Sequence, residues 1–270
     1  MKKNLTFRSN ALKLKVRPYQ FSIIYAKNCS IKIREEKSDG EIEIPKGNIA
    51  FIERNLNLNI MIMKDGYEDA YVAHALTNES VGILIKTLTP LLNDRTTSKP
   101  NERRIEDKVH NVSGEGINKA IFQEIKGSKN ITSEIYKIAC LISESENPQK
   151  IYWSLCVSAS QYFSDRVKTL IESDLSKKWR LSNVSEALSL SEIAVRKKLE
   201  FENTTFYQVL LDSRMQKAAR LILDENHHIN KVSSKIGMSS TSYFIKTFSS
   251  YYGITPKQFY LHYKSIRQTD

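Results

Sequence analysis

Cysteine is scarce in this 270-residue sequence, which contains only Cys29, Cys140 and Cys156. The number is odd and the spacings are wide, so neither a disulfide framework nor the paired cysteines of a zinc site is indicated. We therefore expect free thiols, as in proteins of a reducing cytoplasm.

Long apolar runs are also missing. No stretch approaches the roughly 20 apolar residues that a membrane-spanning helix requires. The basic N-terminus, MKKNLTFRSN, is followed by alternating charge where an export signal would have an apolar region. The sequence thus favours a cytoplasmic protein that does not enter a membrane.

Residues typical of catalysis are few. The first half contains only His74 and His110, far apart and without a His-x-His pair, whereas a catalytic metal site needs clustered histidines with a carboxylate. No Ser/His/Asp combination and no glycine-rich phosphate loop stands out. We expect no metal, no cofactor and no enzyme, and keep a ligand-modified enzyme in the first half as the rival from another functional class.

Positive charge is what the sequence has in excess, since 41 Lys and Arg against 30 Asp and Glu give a net charge of +11. Positions 164–270 contain 17 Lys and Arg and 11 Asp and Glu, a net +6, and positions 1–163 carry the remaining +5. The charge favours an acidic partner such as nucleic acid. It is spread over both halves, however, so the motifs have to decide.

The most informative motif spans Ile229 to Phe259. Apolar residues at 229, 232 and 236 predict a short amphipathic helix. Gly237 ends it with a turn, and Ser239 and Ser240 are candidate N-caps of a second helix. The residues expected to face inward from that helix are Tyr243, Phe244, Thr247, Phe248 and Tyr251. Gly253 should close it, and Pro256 could open the next.

A helix, a glycine turn and a second helix form the helix-turn-helix pattern, in which the second helix enters the DNA major groove. The outward residues Thr241, Ser242, Ile245 and Lys246 supply hydroxyls for base edges and a cation for guanine or phosphate. An ordinary helical hairpin with a polar outer face is the alternative for this segment taken alone.

A second copy of the pattern lies upstream, in Leu181 to Phe206, and favours the DNA-reading interpretation. Small residues, Ser185 and Ala187, stand where a following helix must approach closely, and Ser233 holds the place equivalent to Ser185 in the later copy. Ser191 is the expected N-cap of the helix from 193 to 200. That helix would present Ile193, Arg196 and Lys197 outward, a set that could otherwise be a solvated face.

The segment between the copies, Phe206 to Leu223, has helical spacing and no Gly or Pro. We predict one long helix that holds the two units at a fixed distance. Major-groove entries on one face of DNA lie about 34 Å apart, so one protomer could read two successive grooves.

On these motifs the segment from about 163 to 263 resembles the DNA-binding domain of the AraC/XylS family of bacterial transcription regulators. The residues that carry the resemblance are Leu181, Ser191, the segment Arg214–Leu223, Ile236-Gly237-Met238, Tyr243-Phe244, Phe248, Gly253-Ile254-Thr255-Pro256 and Phe259. Three positions depart from the family pattern. Met238 stands where the family usually has Phe, Asn203 stands where it often has Gly, and Ile193 stands where a polar or aromatic residue is common. The pattern is most similar to the enteric virulence activators of that family, which switch on fimbriae and secretion systems.

The first half has a period close to two between Leu12 and Lys64. Short strands are expected at 21–25, 29–33, 41–44, 48–52 and 56–63, separated by tight turns, as in a small barrel or roll. The turn before Asn48 resembles the cupin-like jelly roll that most family members carry before the DNA domain. We thus predict an α+β protein: a cupin-like barrel with helices, then an all-α domain with two helix-turn-helix units joined by a long helix.

Helices are expected at 81–92, 117–126, 131–144 and 149–161. Residues 93–116 are predicted as a flexible loop inside the first domain or a domain linker. The boundary is placed at 160, giving a regulatory and dimerisation domain, 1–160, and a DNA-binding domain, 161–270. The resemblance implies that helices of the first domain form a homodimer contact.

The resemblance also implies a small effector, a fatty acid or bicarbonate, since a barrel of this size can hold one small molecule. Candidate residues are Arg17, Tyr19 and Lys27, with His228 or Lys231 from the DNA domain; each could equally be a solvated surface group. The predicted function is activation of virulence genes by binding double-stranded promoter DNA and RNA polymerase at the nucleoid. The alternative in the same class is an architectural anti-silencer with weak sequence choice and no ligand.

Overall fold

Among the residues that the structure describes, eight short strands form two antiparallel sheets in the first part of the chain. The computed structural model describes residues 11–36, 39–65, 69–92, 103–224 and 228–267. The strands are β1 (Ala11–Val16), β2 (Ser22–Tyr25), β3 (Cys29–Glu35), β4 (Glu41–Ile44), β5 (Ile49–Ile52), β6 (Leu58–Lys64), β7 (Val72–Ala75) and β8 (Val109–Val112). One sheet has the order β1-β6-β3-β4 and the other β7-β2-β5-β8. The five strands that the sequence predicts correspond to β2 to β6.

Alternation along β2 and β5 places apolar residues on both faces of the second sheet. Ala50 and Ile52 pack with residues of the first sheet, whereas Ile49 and Phe51 pack with helices on the opposite side. Because β5 is buried on both faces, it is apolar throughout, as expected for a central strand. The first unit therefore has two apolar cores, one between the sheets and one under the helices.

The helices of the first unit are α1 (Asn78–Leu92), α2 (Ile117–Lys126), α3 (Ile131–Ser143) and α4 (Pro148–Ala159), close to their predicted bounds. Near the end of α1, the apolar side chain of Leu91 is 78% exposed, although its helical spacing from Leu84 and Leu88 predicts a buried position. The flexible-loop prediction for 93–116 is wrong for its second half. Residues 105–107 form a 3-10 helix and β8 pairs with β5; residues 93–102 lie outside the described part.

The remaining helices are α5 (Phe163–Glu172), α6 (Leu181–Ala187), α7 (Glu192–Phe201), α8 (Phe206–Asp224), α9 (Ile229–Lys235), α10 (Thr241–Tyr252) and α11 (Pro256–Arg267). Two separate apolar cores share α8. Val209 and Leu210 in its first half pack with α5, α6 and α7. Met215 and Ile222 in its second half pack with α9, α10 and α11. Helix α8 thus packs in the cores of both small helical units and connects them, as predicted.

The chain divides into two compact units, Met1–Ser160 and Gln161–Asp270. Within the described ranges, no helix combines the length and the apolar character needed to cross a membrane.

Candidate nucleic-acid interface

The two turns of the helix-turn-helix units are closed by the same backbone hydrogen bonds. In the first, the amides of 188, 189 and 190 donate to the carbonyls of 184, 186 and 185 at 3.0, 3.1 and 2.9 Å. In the second, the amides of 236, 237 and 238 donate to the carbonyls of the equivalent positions 232, 234 and 233, at 3.2, 3.0 and 2.9 Å. The repeat inferred from the sequence is therefore a repeat of backbone geometry.

A left-handed residue makes each turn. Ser189 has φ 53° and Gly237 has φ 70°. Glycine adopts this region without steric cost, and serine does so at some cost. The prediction of close helix packing is confirmed for Ser185 and Ser233, which are 9% and 2% exposed. It is wrong for Ala187, which lies at the end of α6 and is exposed.

Helix α7 presents three of its predicted contact residues to solvent. Ser191 is its N-cap and accepts a hydrogen bond from the amide of Ala194 at 3.1 Å, so its hydroxyl already has a structural partner. Ile193 is 67% exposed, and Arg196 and Lys197 are exposed on the same side. Arg196 forms an i,i+4 ion pair with Glu192 at 3.5 Å, which is exposed and therefore weak enough to yield to DNA.

Helix α10 begins at the N-cap Ser240, whose hydroxyl accepts from the amide of Tyr243 at 3.2 Å. Ser242 and Lys246 are exposed, whereas Thr241 is half-buried, 3.4 Å from the hydroxyl of Ser233. The inward placement of Tyr243 is wrong, because its side chain is 62% exposed while the next residue, Phe244, is fully buried. Phe244 takes the buried position, and Tyr243, one residue earlier on the helix, points to solvent.

A polar junction joins the two helical units at the middle of α8, where Asp212, Ser213 and Arg214 separate the two apolar cores. Buried Asp212 accepts from the Tyr251 hydroxyl on α10 at 2.9 Å. Arg214 donates to the carbonyl of Lys177, in the loop before α6, at 3.2 Å. Partial burial lowers the pKa of Arg214 from its usual value, and nearby Tyr243 opposes that shift.

The turn of the second unit also contacts this junction. A Cβ at Gly237 would lie 2.5 Å from the carbonyl oxygen of Leu175 and 2.8 Å from an Arg214 guanidinium nitrogen. Glycine is therefore required there both by its positive φ and by the close approach of the loop before α6. The two recognition helices are thus tied to each other by more than α8.

The departures from the family pattern fit the structure. Asn203 stands where Gly is common and takes φ 52°, a region that Asn tolerates better than most residues. Met238 is 6% exposed in the second core. Sequence reasoning missed Glu202, whose carboxylate accepts from the amides of Phe163 and Ser164 and so caps α5, at 2.9 Å for Ser164. A distant carboxylate cap leaves no local sequence signal.

Two of the predicted effector residues lie together in the N-terminal compact unit, Met1–Ser160. Arg17 is 6% and Tyr19 8% exposed, and the Arg17 guanidinium lies 5.8 Å from the Tyr19 ring centroid. Arg17 donates to the Asn57 side chain at 3.4 Å, while its Nε finds no hydrogen-bond partner among the described residues. The side-chain nitrogen and oxygen of nearby Asn55 are likewise buried without described partners.

The other predicted effector residues are exposed. Lys27 lies in the turn between β2 and β3 and forms no ion pair within the described residues. His228 is the N-cap of α9, and its carbonyl accepts from the amides of Lys231 and Val232. Lys231 is exposed on that helix.

Both histidines of the N-terminal compact unit contact side chains of the same chain. His74 Nε2 lies 2.9 Å from a Glu134 carboxylate oxygen, and His110 Nε2 lies 2.9 Å from the Ser154 hydroxyl. Burial, aided by the charge of Arg103, lowers the pKa of His110 to about 4, so it is neutral at pH 7. No group of three His, Cys, Asp or Glu side chains suited to a metal occurs in the described residues.

Comparison with known proteins agrees with this arrangement. The profile of the helix-turn-helix domain family matches residues 184–261. The chain is 39% identical to the virulence regulon transcriptional activator VirF of Shigella flexneri over 95% of this chain and 97% of VirF. It is 38% identical to the transcriptional activator FapR of Escherichia coli over 92% of this chain and 95% of FapR.

Among solved structures, ToxT of Vibrio cholerae has the same fold, with a TM-score of 0.70 at 14% identity over 93% of this chain and 94% of ToxT. A second ToxT structure, which holds an unsaturated fatty acid, has a TM-score of 0.60 at 16% identity over 97% of both chains. At these low identities, the two likenesses show a shared fold.

Proposed function

Because the chain belongs to the AraC-type family of helix-turn-helix transcriptional activators, we propose that its two recognition helices read one promoter sequence together and that the genes it activates serve virulence. The relatives VirF and FapR are named transcriptional activators, and VirF is named for a virulence regulon. The duplicated turn geometry carries the proposal. Two equivalent turns, each followed by a capped helix with exposed cations, provide two DNA-reading helices in one protomer.

Base reading is assigned to exposed side chains of both recognition helices. Arg196 and Lys197 on α7, and Ser242 and Lys246 on α10, are the principal candidates; Thr241 adds a half-buried hydroxyl. Arginine and lysine contact guanine edges, and hydroxyls contact any base edge. Ser191 and Ile193 complete the predicted set, the first through its position at a helix N-terminus, where phosphates bind favourably.

The first test is selection of DNA from a random 30-bp duplex library by the full-length protein, followed by transcription in vitro. The most enriched duplex would be placed upstream of a weak promoter and transcribed by bacterial RNA polymerase with and without the protein. We expect one enriched sequence with two conserved blocks and more transcript when the protein is present. Enrichment without preference for any sequence, together with a steep salt dependence of binding, would instead support the architectural anti-silencer.

The cellular location and the partners follow from the proposed DNA target. The protein acts in the cytoplasm at the nucleoid, with promoter DNA and RNA polymerase as its partners. We infer no enzymatic role, since the relatives are named as transcriptional activators.

Control by a small anionic effector is the second part of the proposal. It is supported by Arg17, a buried cation that contacts Asn57 and Tyr19 and forms no ion pair with a carboxylate among the described residues. A buried charge is costly without a counter-ion, and the carboxylate of a fatty acid or a bicarbonate ion would supply one. Lys27, His228 and Lys231 are further candidates, and the unsaturated fatty acid bound to ToxT is the precedent for the chemistry.

Native mass spectrometry of the full-length protein, with organic extraction of anything that co-purifies, tests this part. We expect a bound carboxylic acid in the wild type and its loss in Arg17→Met. Arg54→Met is not a suitable control, because Arg54 is also buried and hydrogen bonds to the Ser160 carbonyl. Lys13→Met, on an exposed strand position, is the matched control. Retention of the acid by Arg17→Met would remove Arg17 from the site.

Homodimerisation through the first unit is the last part. The helices there expose the large apolar side chains Leu91, Ile117 and Tyr136, which are 78%, 68% and 65% exposed. A large contiguous apolar patch marks a protein contact, and the proposal requires these three side chains to belong to one. Sedimentation equilibrium of the wild type and of Tyr136→Ser would reveal it, and a monomer at all concentrations would exclude it.

A further inference from the structure

The outer face of α7 carries an apolar pair that has no role in the fold. Ile193 and Phe201 are 67% and 90% exposed, and Lys197 lies between them at a spacing of four residues on each side. Residues four apart lie on one side of a helix. These three residues, called the α7 stripe below, are therefore an apolar, a cationic and an apolar side chain in a row on the face that also contains predicted contact residues.

The corresponding face of α10 is polar. Counting from the N-caps Ser191 and Ser240, the α7 stripe corresponds to Ser242, Lys246 and Ser250. All three are exposed. The two recognition helices thus keep the same central lysine but differ at both flanking positions, with hydrocarbon on α7 and hydroxyl on α10.

Hydrocarbon exposed on a DNA-facing helix has one complement on the base edges of the major groove, the C5-methyl group of thymine. Hydroxyls instead match hydrogen-bonding edges and discriminate less among bases. We propose, on the basis of the proposed function, that the α7 stripe selects thymine through contacts of Ile193 and Phe201 with thymine methyl groups, while the equivalent face of α10 reads hydrogen-bonding groups.

The charge of the stripe favours DNA over a protein groove as its occupant. Lys197 separates the two apolar side chains, and Arg196 and Lys198 are exposed beside it. Cations in this position contact guanine edges or phosphates, whereas the cores of protein interfaces are depleted of charged residues. Ile193 lies in the first turn of α7, where a recognition helix contacts base edges, and Lys197 and Phe201 continue the stripe toward the C-terminal end of the helix.

Replacement of single thymines by deoxyuridine isolates the proposed contact, because it removes only the methyl group and leaves every hydrogen-bonding group in place. The probe is the duplex that the full-length protein enriches from the random library. We expect one or more thymines in the block read by α7 at which the substitution weakens binding by roughly fourfold, the effect of one buried methyl group. In the block read by α10, substitution should change affinity by less than about twofold.

The variants Ile193→Ser and Phe201→Ser connect each methyl group to its side chain. Both changes are on the surface and give α7 the residue that α10 carries at the same position, so the fold should persist, as circular dichroism would verify. Each variant should bind the thymine duplex more weakly and should no longer distinguish thymine from deoxyuridine at one position. The reciprocal control, Ser250→Phe, should leave the deoxyuridine pattern of the α7 block unchanged.

Four outcomes would separate this inference from its premise. Enrichment of no sequence by the wild type would refute the proposed function. An enriched duplex insensitive to deoxyuridine in either block would refute the thymine contact alone. Unchanged deoxyuridine sensitivity in Phe201→Ser would restrict the contact to Ile193, and unchanged sensitivity in both variants would overturn the assignment to the stripe.

Discussion

The two helix-turn-helix units share the hydrogen bonds of their turns but differ in what surrounds those turns. From the start of the first helix to the N-cap of the second, the chain runs from 181 to 191 in the first unit and from 229 to 240 in the second. The second turn is therefore longer by one position. The first turn is exposed at Ser189, whereas the second packs against Leu175 and Arg214. One backbone motif thus serves once as a free-standing turn and once as part of a junction.

The difference teaches why only one turn needs glycine. Positive φ alone costs an L-residue on the order of 1 kcal/mol, which Ser189 tolerates at the surface. At Gly237 the same φ coincides with a carbonyl oxygen 2.5 Å from where a Cβ would lie. A backbone atom cannot move aside as a flexible side chain can. A side chain at position 237 would therefore incur both the strain of a positive φ and a clash with this oxygen.

Gly237→Ala should therefore give the largest effect, a loss of about 2 to 3 kcal/mol in the free energy of unfolding of the second helix-turn-helix unit. The matched change in the first unit, Ser189→Gly, should alter stability by no more than about 0.5 kcal/mol. Urea unfolding of the full-length protein followed by far-ultraviolet circular dichroism, which reports both helical cores, would measure both. Equal effects of the two substitutions would show that the turns are equivalent after all.

Arg196→Ala should weaken specific DNA binding by about 1 to 3 kcal/mol, because it removes an exposed guanidinium from the base-reading face. Fluorescence anisotropy on the enriched duplex and on a scrambled duplex separates base contact from phosphate contact. A control on the opposite recognition helix, Lys246→Ala, should affect a different block of the sequence. Unchanged affinity of a folded Arg196→Ala variant for the enriched duplex would remove Arg196 from the interface.

Arg214→Met should cost about 1 to 2 kcal/mol of stability, since it removes a charged hydrogen bond to the Lys177 carbonyl. It should also loosen the spacing between the two blocks that the protein selects, because the junction ties the second turn to the loop before α6. Lys217→Met, an exposed lysine on the same helix, controls for the loss of charge. A single fixed spacing selected by both variants would mean that α8 alone sets the distance.

The two N-caps should show the smallest effects and the closest agreement. Ser191→Ala and Ser240→Ala each remove one hydroxyl that accepts an amide hydrogen bond, so each should cost about 1 kcal/mol. Thermal unfolding would compare them directly. A much larger effect on DNA binding than on stability for Ser191→Ala would point to a direct phosphate contact by its hydroxyl.

The sequence predicted what local signals specify. Glycine at 237 and 253, serine at 191 and 240 and the apolar period of α8 each act within a turn or two of chain, and the structure confirms each of them. The enteric branch of the family was also identified, and the comparisons confirm it.

Features set by distant contacts were missed. Strand β8 lies in a polar stretch that was predicted as a loop, and it is ordered because it completes a sheet edge beside β5. Tyr243 was assigned inward from spacing alone, although Phe244 takes the buried position. Glu202 and the junction around Arg214 depend on residues distant in the sequence, which no local pattern reveals. The contact and effector assignments remain predictions.

Hydroxyl-radical footprinting of the full-length protein on the enriched duplex tests most directly whether both units read DNA at once. With one protomer bound per duplex, as mass photometry would establish, we expect two protected patches on one face of the DNA, about 10 bp apart. Arg196→Ala should weaken only one of them. A single patch per protomer, or two patches only when two protomers are bound, would contradict the account.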